Sequence, residues 1–359
     1  MGSLSCSSRR LGVATLLSAL LLLAAGCGPR FPSSITPTYY SSTTGLPNEV
    51  GMQTPWKGYD DYAVLEFGKG TACQNPLPPG APLNQNLKAN PLVPHVVAPG
   101  CVLIRPDGLS MDETEVTNNE WRRYQMQLRL TGQGAAAEPS ATALPVPDYY
   151  TNPFYDYAPV VGLSYEQVTA FCRWRGRTIT HLYNADPANA ADSLSERYVR
   201  YELRLPTEAE WERAALADRN QPYGTSCPTW PLTVNPRAAA YLRQYSGTEA
   251  SPAQVATDIK AYNQTRPVSF GISCRQPKQP YFLRLLAPAY VFQTPANDYG
   301  LYQLLGNAAE MVQERGISKG GSYLDPLEAC TVTARGTYAG PAPNVGFRCV
   351  SQASYPNRK

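Results

Sequence analysis

Histidine is almost missing from this chain: 359 residues contain two, His95 and His181. Both fall in stretches that read as loop, and they do not form a pair at ligand spacing, so no imidazole-based metal site is expected. No cluster of lysine and arginine marks a nucleic-acid footprint, and the glycines never gather into a phosphate-binding fingerprint. Nucleic acid is therefore not an expected partner. No internal repeat stands out. The one long apolar run, Leu11–Leu23, is too short for a comfortable membrane span. With 43% hydrophobic residues, the chain still has ample material for a core.

That apolar run follows Arg9 and Arg10 and closes on "AAGC", so residues 1–26 read as an export signal. The small residues before Cys27 resemble a bacterial lipobox. The resemblance implies cleavage before Cys27 and diacylation of its thiol, with the membrane as partner through that anchor. Removing residues 1–26 leaves 29 basic and 28 acidic residues, a near-neutral balance without an electrostatic signature. Residues 27–58, rich in Pro, Ser and Thr, read as a lipidated tether. They carry no acidic run after Cys27, and the expected location is the outer membrane, lipid-anchored, on its periplasmic face. Export permits disulfides. Apart from Cys6 and Cys27 there are seven cysteines, 73, 101, 172, 227, 274, 330 and 349, so at least one is unpaired within a monomer if the others pair.

Regular structure begins at "CVLIRPDGLSMDETEVTNNEWRRYQMQL". A strand over Cys101–Ile104 precedes a helix capped by Thr117 or Asn118, with Trp121, Tyr124 and Leu128 on one buried face. Ser164 and Gln167 form a capping box for a second helix, for which Gly176 supplies the stop. In "LRLPTEAEWERAA" Thr207 and Glu210 form another box, and the segment reads as a capped helix rather than as paired catalytic carboxylates. Short strands are expected at Gly320–Tyr323 and Gly346–Val350. Together these describe one α+β domain over residues 59–352 with a tail at 353–359.

Six segments, taken in order, carry a resemblance: "MDETEVTNNEW" (Met111–Trp121), "PVVGLSYEQVTAFCRWRG" (Pro159–Gly176), "LRLPTEAEWERAA", "NDYGLYQLLGNAAEMV" (Asn297–Val312), "KGGSY" (Lys319–Tyr323) and "GFRCV" (Gly346–Val350). They resemble the successive signatures of the formylglycine-generating enzyme, or sulfatase-modifying factor, family. The resemblance implies a C-type-lectin-related domain with little regular secondary structure, a small kinked antiparallel sheet and peripheral helices. In active members it implies copper-dependent oxidation, by O2, of a sulfatase cysteine to formylglycine.

That activity implies two cysteines just after the "GGSY" element, because Cu(I) is soft and prefers thiolates. Here Asp325 occupies the first position and Cys330 the second, so copper is not expected and Cys330 is a remnant candidate for catalysis. The resemblance also implies a Cys172–Cys349 disulfide, and a calcium ion bound by Gln303, Gly306, Ala308 and Glu310. Cys73–Cys101 and Cys227–Cys274 are candidate pairs, with connectivity open. An insert, residues 272–296, carries the apolar stretch "YFLRLLAPAYVF", which reads either as a partner surface or as a hairpin over the domain's own core.

The expected function is that of a catalytically degenerate scaffold or binding module with protein partners. The anchor together with "MDETEVTN" resembles the gliding-motility lipoproteins of type IX-secreting Bacteroidetes, the GldJ/GldK group. The alternative is an active oxidase that makes formylglycine.

Overall fold

The computed structural model describes residues 96–217, 230–265, 271–294 and 296–358, with short pieces at 41, 44, 46, 65–67 and 268–269. The expected signal peptide, Cys27 and the tether lie outside the described residues apart from 41, 44 and 46; Cys73, His95 and Cys227 lie outside them too. Among the described residues no helix is long and apolar enough to cross a membrane.

Each expected cap is in place. Thr117 accepts the Glu120 amide and starts helix α1 (Asn118–Arg129). At the head of α2 (Tyr165–Ala185) the Gln167 amide donates to Ser164 Oγ at 3.2 Å, and the Ser164 amide donates to Gln167 Oε1 at 2.8 Å. Thr207 and Glu210 repeat this reciprocal pair at α3 (Glu208–Leu216), with distances of 3.2 and 2.9 Å.

Gly176 does not stop its helix; α2 continues through it to Ala185. The glycine is there for close approach. A Cβ at 176 would lie 3.0 Å from the Tyr201 carbonyl oxygen and 3.2 Å from the Leu203 amide nitrogen, both on a strand we number β4 (Arg200–Arg204). One turn further on, Thr180 Oγ1 accepts the Tyr201 amide at 2.9 Å. Another turn on, Asn184 accepts the Val199 amide at 3.1 Å and donates to the Val199 carbonyl at 2.7 Å. Four helical residues rise about 6 Å and two strand residues about 6.7 Å, so Gly176, Thr180 and Asn184 keep step with alternate strand positions. The helix thus answers the backbone of an edge strand with its side chains. His181 lies on this helix, exposed, and not in a loop.

The strands are short. β1 (Leu65–Phe67), β5 (Trp230–Val234) and β6 (Val268–Ser269) form one sheet in the order β1-β5-β6. β2 (Cys101–Leu103), β3 (Ser110–Asp112) and β11 (Val350–Ser354) join β4 in the antiparallel order β2-β3-β11-β4. The third sheet holds β7 (Ala309–Met311), β8 (Ile317–Lys319), β9 (Arg335–Thr337) and β10 (Val345–Gly346) in the order β10-β7-β8-β9, with only the β10–β7 pair parallel. Two strand expectations change. β8 ends at Lys319 because Gly320 and Gly321 adopt φ of +85° and +66°, and the stretch Gly346–Val350 is divided between β10 and β11.

Trp121, Phe171 and Phe347 pack ring on ring at 5.3 to 5.9 Å and centre one core on α1 and α2. The insert builds another. Phe282, Ala287, Val291 and Phe292 are buried in the same cluster as Leu242 of α4 (Ala239–Ser246) and Val255 and Ile259 of α5 (Pro252–Gln264). The partner-surface reading of the insert is thereby corrected, since its apolar residues cover the domain's own core. It is not a hairpin; its described regular element is a single 3-10 turn, Tyr281–Leu283.

Candidate functional site

The acids of "LPTEAEWERAA" are all employed structurally. Glu210 takes two hydrogen bonds from Arg204, at 2.7 and 2.8 Å. Glu212 and Glu208 accept from Lys319 Nζ at 2.7 and 3.2 Å, and Glu208 also accepts from Arg335 at 2.7 Å. Lys319 is fully buried and lies over the Trp211 ring, 5.9 Å from its centroid. This chain of charges ties α3 to the strands that carry the turn at Gly320 and Gly321.

Beside that turn opens a cleft of about 390 Å³, lined by Asp325, Arg335, Asn344, Ser318 and mostly small residues of the segments around them. The Ser322 hydroxyl donates to Asp325 Oδ2 at 2.5 Å, and the Asn344 amide donates to that hydroxyl at 3.1 Å. The Arg275 amide donates to the Asp325 carbonyl at 2.8 Å. The cleft therefore presents a fixed carboxylate acceptor, part-exposed, with a guanidinium on its wall.

The family model of the sulfatase-modifying factor enzyme 1-like domain matches residues 98–353. The chain belongs to that family. It is 24% identical to the formylglycine-generating enzyme of Bos taurus over 242 residues, covering 59% of this chain and 46% of that one. To the inactive C-alpha-formylglycine-generating enzyme 2 of Bos taurus it is 26% identical over 216 residues, covering 55% and 52%. The chain thus spans about half the length of the curated relatives it matches. Among solved structures, PvdO from Pseudomonas aeruginosa aligns with a TM-score of 0.39 at 16% identity, covering 68% of this chain and 80% of that one.

In this family member the two candidate catalytic positions part company. Asp325 faces the cleft, whereas Cys330 is fully buried, is not among the cleft's lining residues, and packs in the apolar cluster of Ile272, Leu304 and Leu305. It has a sulfur neighbour. The Cys274 thiol adjoins it, and that contact, together with burial, pushes the Cys330 thiol far above the ordinary thiol range. The expected Cys227–Cys274 pairing has its other half outside the described residues; what Cys274 meets here is Cys330. A copper centre of the family kind needs ionised thiolates open to substrate. Asp325 is a hard donor, both sulfurs are buried away from the cleft and the Cys330 thiol is pushed up, so these residues do not fit that metal.

The calcium set fares no better. Glu310 is fully buried, with both carboxylate oxygens taken by Arg348 and one also by Trp211 Nε1 at 2.8 Å. Gln303 Oε1 accepts from Thr294 at 3.0 Å and faces Ser273 at 3.5 Å, while its amide donates to the Tyr290 carbonyl. Gly306 takes a φ of +78° and packs on the Ser273 carbonyl, and Ala308 is buried in the α4–α5 cluster. With a guanidinium already neutralising the carboxylate, these residues do not fit calcium. Cys172 and Cys349 are buried and do meet, their sulfurs 2.9 Å apart.

Two residues escaped the sequence reading. Cys274 was assigned to another pair, and Glu115, inside "MDETEVTN", was quoted only as part of a signature. Glu115 is fully buried; Asn307 donates to its Oε1 at 2.9 Å, while Oε2 has no hydrogen bond and lies 3.9 Å from Arg348. Burial pushes its carboxyl up to about 8, against the pull of Arg348 and with the nearby Glu310 adding to the rise.

Proposed function

We propose that this chain is a non-catalytic member of its family, a lipid-anchored module held through Cys27 at the periplasmic face of the outer membrane, whose cleft at Asp325 receives a partner protein. One observation carries the loss of catalysis. Asp325, hydrogen-bonded to Ser322, holds the cleft position at which the family resemblance implies the first copper-binding cysteine, and the remaining thiol is closed away from that cleft. The similarity to inactive relatives supports the same reading. The resemblance of the anchor and "MDETEVTN" to gliding-motility lipoproteins supports an assembly role in type IX secretion. A carboxylate acceptor suits a basic or amide-rich segment of such a partner.

Copper titration combined with O2 uptake on a cysteine-containing sulfatase peptide tests the reading. The expected outcome is neither stoichiometric copper binding nor peptide oxidation, and copper-dependent turnover would overturn it. Cys27→Ser is expected to move the protein from the membrane fraction to the soluble one.

A further inference from the structure

We propose that Cys274 and Cys330 are a cross-linking site: a disulfide between them ties the start of the insert to the loop that carries Asp325. The geometry prepares it. Ser273 and Arg275, the neighbours of Cys274, are pinned on both sides: the Ser273 carbonyl accepts the Asn307 amide at 2.7 Å, and the Arg275 amide donates to Asp325 O at 2.8 Å. Parallel bridges pair Ser273 with Gly306 and Arg275 with Pro326. The loop on the other side is shaped to admit the sulfur. Gly321 takes a φ of +66°, and a Cβ there would lie 2.7 Å from Cys330 Sγ. Both cysteines are buried in one apolar cluster, and besides Cys274 the Cys330 thiol reaches the Ser322 carbonyl, at 3.9 Å. The two side chains share one apolar pocket, and the backbone that carries each is already fixed by its neighbours' hydrogen bonds.

The step is thiol–disulfide exchange with an oxidised protein dithiol. One cysteine, as thiolate, attacks a sulfur of the donor disulfide to give a mixed disulfide, and the second thiolate then displaces the donor's sulfur. The cysteines lose two protons and two electrons, and the donor leaves as a dithiol. Because both thiols are buried in the folded protein, out of reach of a donor disulfide, the exchange belongs to folding, before the cluster closes. The bond fixes the Asp325 wall against the insert.

The full chain, produced by export through an oxidising compartment, is denatured with a thiol-blocking reagent and digested without reduction. A peptide pair containing Cys274 and Cys330, lighter than the two free peptides by two hydrogens, is expected. Cys274→Ser and Cys330→Ser should each abolish it and each expose one new blockable thiol. The double variant is expected to melt lower by roughly 10 °C. Separate blocking of both cysteines in the wild-type protein, with or without a bound soft metal, overturns the proposal, as does Cys274 linked to Cys227. The digestion of wild-type protein decides the matter even where a variant fails to fold.

Discussion

Arg348 grips Glu310 with its Nε at 2.8 Å from each carboxylate oxygen and its Nη2 at 2.6 Å from one of them, and neither side chain touches solvent. The same guanidinium donates to the carbonyls of Asp112, Glu113 and Tyr302, so it clamps the segment after β3 to the one before β7. Arg348→Met would leave the buried Glu310 without its guanidinium partner and remove the charge that faces Glu115. A loss of about 3–5 kcal/mol is expected in denaturant unfolding. Lysine should not rescue it, because an ammonium lacks the planar fork.

Glu115 gives stability a pH dependence of definite sign. Its folded value, about 8, lies above the ordinary carboxylate value of 4.5, so between the two the folded state holds a proton that the unfolded chain has released. This contribution is fully present below pH 4.5 and is lost as pH rises through 8, with a slope on the order of 1 kcal/mol per unit. Glu310, also raised by burial, adds to the same sign, while Arg348 opposes both. Urea unfolding from pH 5 to 9 should show the decline, and Glu115→Gln, the neutral isostere, should flatten it.

At Gly176 two effects compete. Replacing glycine inside a free helix normally gains up to about 1 kcal/mol, but here a side chain would press on the Tyr201 and Leu203 backbone. Gly176→Val is expected to cost about 1–3 kcal/mol, with the overpacking deciding the sign. Thermal melts of the variant and wild type would measure it.

Calcium should be without effect. Because Arg348 and Trp211 already occupy the Glu310 oxygens, neither a strong chelator nor millimolar calcium is expected to move the melting temperature. A chelator-induced drop in calorimetry would show that the guanidinium yields to a cation.

What could be read from the sequence was what is local. The caps at Thr117, Ser164 and Thr207 depend on a residue three positions away, so spacing alone finds them. Gly176 was misread because its reason lies on a strand beyond the end of its own helix, and Glu310 because its partner, Arg348, comes from a different strand connection. Cys274 and Cys330 meet only through the ladder between the insert and the Asp325 loop. An apolar insert looks the same whether it covers its own core or another protein, and only the fold tells which.

The seam of Gly176, Thr180 and Asn184 along β4 has an outcome at the level of populations of molecules. Unsatisfied strand margins nucleate fibrils and swapped dimers when proteins are crowded. Here that margin has its amides at Val199 and Tyr201 already answered from within. Many copies gathered on one surface would find no template there for pairing with one another.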